Sequence, residues 1–182
     1  MTKDLKNKLS TKQNNNMPII SGWLVNEEQQ KSPHFSVRDK NDTVNLLVVH
    51  NISLPPNQFG GSYITDFFLG KLDSKAHRYF EEIAQLKVSA HCLITRVGHI
   101  IQYVSFDDKA WHAGVSSYQG LDKCNDFSIG IELEGTDTTA YTQNQYNALQ
   151  SLTKTLIYKY PAITRERIVG HCHIASGRKT DP

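Results

Sequence analysis

The chain lacks the long hydrophobic runs that membrane insertion requires. Nowhere in its 182 residues do apolar side chains approach the ~18 in succession that a bilayer-spanning helix needs, so no membrane partner is expected. The N-terminus carries lysines with no apolar stretch behind them, which argues against a secretory signal. Cysteine is sparse as well: Cys92, Cys124 and Cys172 are three, an odd number without framework spacing. Cys92 lies in an apolar run, as a small buried thiol would, and nothing around Cys172 marks a lowered thiol pKa, so no cysteine nucleophile is expected. These features favour a reducing cytoplasm. A single-sign charge excess is missing too. Net charge is +2, and Lys3, Lys6, Lys8 and Lys12 against Asp4 give residues 1–18 about +3, which leaves about −1 for the remainder. So balanced a chain offers no basic face for nucleic acid, and no protein partner is evident. There is no His-Glu-x-x-His helix, which sets aside the common zinc peptidase pattern.

What is present suits one α/β domain. At 38% hydrophobic and 21% charged residues the composition is ordinary for a globular protein. A chain of this length buries roughly 70% of its unfolded surface around one core. Residues 1–17 are rich in Lys, Asn and Gln and without periodicity, so they read as a disordered extension before a domain at 18–182. Val44 to His50 is apolar on both alternations, the mark of a central strand covered on both faces. Segments 62–69 and 74–86 read as helices, with Phe80, Ile83, Ala84 and Leu86 on one face of the second. Val88–Thr95 and Ile100–Val104 flank a turn at Arg96–His99 and predict a hairpin. Residues 107–125 read as a loop and Phe127–Glu134 as a strand. Thr142 and Gln145 form a capping box for a helix running to Tyr160, with Tyr146, Leu149, Leu152, Leu156 and Tyr160 inward and Pro161 ending it. Strands alternating with helices predict a central mixed sheet flanked by helices.

Chemistry concentrates at the far end, where Gly170 to Pro182 hold His171, Cys172, His173, Arg178, Lys179 and Asp181. Imidazole nitrogens, a carboxylate and two cations this close suit a zinc site acting on a carbonyl or anionic substrate. A third ligand must come from elsewhere, and His50, at the carboxyl end of the apolar strand, is the candidate. His50/His171/His173 and His50/His171/Asp181 are both workable sets, because residues two apart share a strand face. His34, His77 and His99 read as surface or packing residues, and His91 as a satisfied core histidine. Glu132 and Glu134 share one face of a strand whose other face is Ile129, Ile131 and Leu133. A carboxylate in mid-strand is costly unless paired or functional, which makes Glu132 a candidate general base and Glu134 a solvated strand-end residue.

Several longer blocks go further. Leu46–Pro56 around His50, Phe59-Gly-Gly61, Val88–Cys92, Ala110–Gly120, Cys124–Asp137 and Gly170–Pro182 together resemble the N-acetylmuramoyl-L-alanine amidase family. That family is related to phage T7 lysozyme and the peptidoglycan recognition proteins, and the likeness runs from about Gly22 to the last residue. It implies Zn2+ held by His50, His171 and Asp181, with no ligand role for His173. It also implies Glu132 and Lys179 as catalytic residues and Asn51, Trp111 and Arg178 as substrate-binding residues. The activity implied is hydrolysis of the amide between (1,6-anhydro-)N-acetylmuramic acid and L-alanine of an anhydro-muropeptide. The setting implied is peptidoglycan recycling in the cytoplasm, with an indirect limit on β-lactamase induction. The filled ligand positions argue against a binding module that has lost its metal.

Overall fold

A computed structural model describes residues 16–182. Residues 1–15, which carry most of the expected disordered extension, lie outside the described residues; Met17 packs on the core and its N–H donates to Thr155 Oγ1 at 2.9 Å. In chain order the strands are β1 (Ile19–Ile20), β2 (Trp23–Leu24), β3 (Glu28–Gln29), β4 (Phe35–Val37), β5 (Leu46–Ile52), β6 (Cys92–Ile94), β7 (Ile100–Gln102), β8 (Asp108–Ala110), β9 (Ser117–Tyr118), β10 (Leu121–Asp122), β11 (Ser128–Glu134) and β12 (Ile168–Gly170). The helices are α1 (Tyr63–Phe68), α2 (Phe80–Ile83), α3 (Gln143–Lys159) and α4 (His171–Ile174). Six strands make the central sheet in the order β12-β5-β11-β6-β7-β3. β12, β5, β11 and β6 run parallel, β7 returns antiparallel to β6, and β3 closes the edge parallel to β7. The fold is the expected single α/β domain with a mixed sheet.

The apolar alternation of β5 feeds two cores, and that of β11 feeds one of them. Leu47, Ile129, Ile131 and Leu133 face α3 and bury Leu152 and Leu156 against them. On the other face Leu46 and Val48 pack with Ala113, Cys124, Phe127 and Ile174. Burying an aliphatic side chain of this size stabilises by about 1.5–3 kcal/mol, so both faces of β5 help to hold its register. That register sets the site: Glu132 lies beside His50, and Gly170 lies beside Val49, so His171 emerges next to His50.

Several expectations are corrected. The helix expected over 74–86 shrinks to Phe80–Ile83, because Asp73 Oδ1 accepts from Lys75 N and His77 Nδ1 accepts from Tyr79 N, holding the preceding residues in turns. Phe80 is buried, whereas Leu86 is exposed. The expected loop 107–125 contains β8, β9 and β10, with β8 paired to β4. The capping box forms as read, but Tyr146 is 51% exposed rather than inward. Gln145 is buried in its place, its Nε2 donating to the carbonyls of Ile94 and Glu134 and tying the start of α3 to the sheet.

Candidate active site

The carboxyl ends of parallel strands bring the site together. β5 carries His50 and Asn51 just before its last residue, Ile52, β11 supplies Glu132 beside them, and β12 hands the chain to His171. β12 stops at Gly170 and His171–Ile174 coil into one helical turn, so His171 and His173 do not share a face. His173 is exposed and turned back, its Nδ1 accepting from Gly170 N at 3.0 Å. This removes the three-histidine set that spacing had left open. The segment then folds back so that Cys172 N donates to Asp181 O at 2.8 Å and the Pro182 carbonyl lies against Gly170, where any Cβ would overlap it. Gly170 is therefore a close-approach glycine that lets Asp181 return to the strand ends.

Three donor atoms converge there. His50 Nδ1 is 3.0 Å from His171 Nδ1, His171 Nδ1 is 3.0 Å from Asp181 Oδ2, and His50 Nδ1 is 3.4 Å from Asp181 Oδ2. Ligand atoms at ~2.0–2.1 Å from a tetrahedral zinc lie about 3.3–3.4 Å apart, so the number, chemistry and spacing of these donors fit one small divalent cation. Among the described residues this is the one group of His, Cys, Asp and Glu that could hold a metal. Burial pushes the His50 pKa down to about 4, against its contact with the accepting Asp181 carboxylate, so its ring is neutral as a ligand must be. Burial opposes ionisation of Asp181, but its contacts with the His171 and His50 rings outweigh it and hold the carboxyl well below its usual range.

Glu132 stands next to these donors and is 9% exposed. Its Oε2 has no hydrogen-bond partner. Burial, with repulsion from Asp181, pushes its pKa up to about 8, while Lys179 pulls the other way. A buried carboxyl with an unsatisfied oxygen is costly to keep, and it is the form a proton-transfer group takes. All these residues open onto a cleft of about 610 Å³. Asn51, Trp111, Arg178 and Lys179 line it with them, together with the apolar residues Phe67, Ile83 and Val88 and the ring of Tyr79.

Residues 39–182 match the N-acetylmuramoyl-L-alanine amidase family (Amidase_2). A 1,6-anhydro-N-acetylmuramyl-L-alanine amidase AmpD from Salmonella typhimurium (strain SL1344) is 60% identical over 161 residues, 88% of this chain and 86% of the relative. The protein belongs to the amidase family. A crystal structure of a selenomethionine AmpD derivative superposes with a TM-score of 0.89 at 58% identity, covering 91% of this chain and 92% of that one. The Escherichia coli amidase AmiD, solved with anhydro-N-acetylmuramic acid-L-Ala-D-γ-Glu-L-Lys, gives a TM-score of 0.55 at 28% identity, covering 80% of this chain and 55% of its own.

In this amidase the residues singled out from sequence gather at one cleft, with differences in detail. Trp111 Nε1 donates to Ser36 Oγ at 2.9 Å and its ring stacks on His34, which was read as a packing residue. Asn51 Nδ2 donates to Asp137 Oδ1 at 2.8 Å. Arg178 Nη2 donates to the carbonyls of Ala113 and Val115, strapping the end of the chain to that loop. His91 is the satisfied core residue expected, taking Gly130 N on Nδ1 while its Nε2 meets the Asp108 carbonyl; burial pushes its pKa down to about 3. Glu134 is corrected: it is buried, and accepts from the backbone N–H groups of Gly60 and Arg96. His112 was missed altogether. It is half-buried, its ring set edge-on against His50 and His91, and its only sequence signal was a place in the Trp-His-Ala-Gly stretch.

Proposed function

We propose that this protein is a zinc-dependent, cytoplasmic amidase that hydrolyses the bond between the lactyl carbonyl of (1,6-anhydro-)N-acetylmuramic acid and L-alanine of muropeptides. Its place is peptidoglycan recycling, and by lowering muropeptide levels it indirectly limits β-lactamase induction. The observation that carries the reading is the convergence of His50, His171 and Asp181 beside Glu132, with its unpartnered Oε2, in the lining of one cleft. The 60% identity to an AmpD amidase and the anhydro-muropeptide bound by the AmiD relative support the substrate class. Cys92, Cys124 and Cys172 are all unpaired, as a reducing compartment favours.

His50, His171 and Asp181 hold the metal. When bound, zinc would polarise the scissile carbonyl and bring the pKa of a water toward about 7. Glu132 takes the proton of the attacking water and passes it to the departing amine of L-alanine. Beside a bound dication the Glu132 carboxyl would ionise more readily, which suits it to accept that proton. Lys179 offers its ammonium to the negative charge that develops on the carbonyl oxygen; loss of such a donor typically costs about 10²–10³ in rate. Trp111, stacked on His34, presents an aromatic wall to the sugar, while Asn51 and Arg178 line the cleft for polar contacts.

Elemental analysis paired with release of the L-Ala peptide from an anhydro-muropeptide, before and after chelation, tests this. About one zinc per chain and chelator-sensitive release are expected. Release that survives complete metal removal overturns the zinc dependence, and the absence of both zinc and release overturns the amidase reading. Faster turnover of intact sacculi than of anhydro-muropeptides overturns the recycling role.

A further inference from the structure

One dipeptide touches the far side of both candidate histidine ligands. His112 Nδ1 lies 2.9 Å from His50 Nε2, and the Ala113 carbonyl lies 3.3 Å from His171 Nε2. The Nδ1 atoms of His50 and His171 are the ones turned toward Asp181. A neutral imidazole that offers Nδ1 as a lone pair must carry its proton on Nε2. A carbonyl can only accept, so Ala113 fixes that proton on His171. His112 does the same for His50 provided its own Nδ1 is the acceptor, which puts the His112 proton on Nε2. That Nε2 is 3.1 Å from Ser128 Oγ, an oxygen able to accept it.

The dipeptide is itself held from behind. Asn125 Oδ1 accepts from both His112 N, at 3.2 Å, and Ala113 N, at 2.9 Å. Gly130 leaves the slot that the His112 ring fills, since a Cβ there would overlap the imidazole. Arg178 Nη2 shares the Ala113 carbonyl at 2.9 Å. We infer that His112 is a positioning residue for the metal centre: with Ala113, and clamped by Asn125, it selects the Nδ1-ligating form of both histidines. This rests on the zinc reading above and deepens it. Partners that orient metal-bound histidines typically matter by about 10–100-fold in metal affinity.

The test is zinc affinity, measured by competition with a chromophoric chelator, for the wild type, His112→Phe and His112→Asn. It is paired with nitrogen-15 NMR of the histidine rings in the zinc-loaded wild type. His112→Phe removes the acceptor and is expected to weaken zinc about 10–100-fold, whereas His112→Asn, whose Oδ1 stands near the Nδ1 position, recovers most of that loss. The wild-type spectrum is expected to show His112 protonated on Nε2. Wild-type affinity in a folded His112→Phe, an equal loss in His112→Asn, or His112 protonated on Nδ1 each overturns the inference while leaving the zinc reading intact. A wild type that binds no zinc overturns both. Should His112→Phe not fold, the wild-type spectrum decides alone.

Discussion

Glu132 and Glu134 sit two residues apart on the same face of β11, both nearly out of solvent at 9% and 4% exposure. Their sequence context is the same Ile-Glu-Leu-Glu alternation, yet they end in opposite states. Glu134, at the strand end, is reached by the loop N–H groups of Gly60 and Arg96, and its cost of burial is offset by hydrogen bonds. Glu132, one pair deeper, sits beside His50, where no N–H arrives and Oε2 is left unpartnered. The difference is where the strand ends: loop N–H groups beyond the sheet reach Glu134, whereas within the sheet the backbone donors are taken up by the ladder and leave Glu132 Oε2 unsatisfied. One of the pair is a fastener, and the other is the proton carrier of the proposed function.

Substituting each by glutamine breaks the comparison most sharply in activity. Glu132→Gln keeps the shape but cannot carry a proton, so kcat on an anhydro-muropeptide is expected to fall by about 10²–10⁴ with zinc content unchanged. Glu134→Gln is expected to retain kcat within about tenfold, since it holds a loop and transfers no proton. Equal losses in the two variants would erase the distinction.

The next effect is on stability in the metal-free protein. Glu132 holds its proton up to about pH 8 in the folded state, whereas the unfolded chain releases it near 4.5. Above 4.5 the unfolded state is increasingly favoured until about 8, so the group costs stability as pH rises through that window. Glutamine has no proton to lose. Urea denaturation of metal-free Glu132→Gln should therefore match the wild type near pH 4 and exceed it by a few kcal/mol at pH 8, a sign reversed from ordinary loss-of-contact mutations. Glu134→Gln should instead lose about 1–3 kcal/mol across the neutral range, because its amide NH₂ turns a donor toward one of two backbone donors.

How much of this was legible follows the same physics. The central strand, the hairpin, the capped helix and the position of His50 were readable because local alternation and capping chemistry dictate them. Glu132 stood out for being in mid-strand. Glu134 was misread as solvated because its partners, Gly60 and Arg96, lie 74 and 38 residues away and act through backbone atoms that no side-chain pattern encodes. His173 was left open as a ligand because spacing alone does not say that β12 stops at Gly170 and coils. His112 escaped for a similar reason, its role arising from contacts 62 and 16 residues distant in the chain. Tyr146 was placed inward by periodicity, which gave way to the hydrogen bonds of buried Gln145.

The smallest prediction separates backbone from charge at Glu134. Arg96 lies beside that carboxylate and invites description as its ion-pair partner. Yet its N–H, at 2.9 Å from Oε2, makes the contact, while its guanidinium reaches the carbonyls of Glu134 and Ala140 and covers the Phe59 ring at 4.9 Å. Arg96→Ala therefore removes two carbonyl contacts, one part-buried and one exposed, and a cation–π contact but leaves the N–H that satisfies Glu134. The expected cost is about 0.5–1 kcal/mol by denaturant midpoint, well under that of Glu134→Gln, with little dependence on salt. A loss equal to that of Glu134→Gln and steepened by low salt would make Glu134 an ion-pair residue, and the strand-end amides would no longer explain why it alone of the two is at rest.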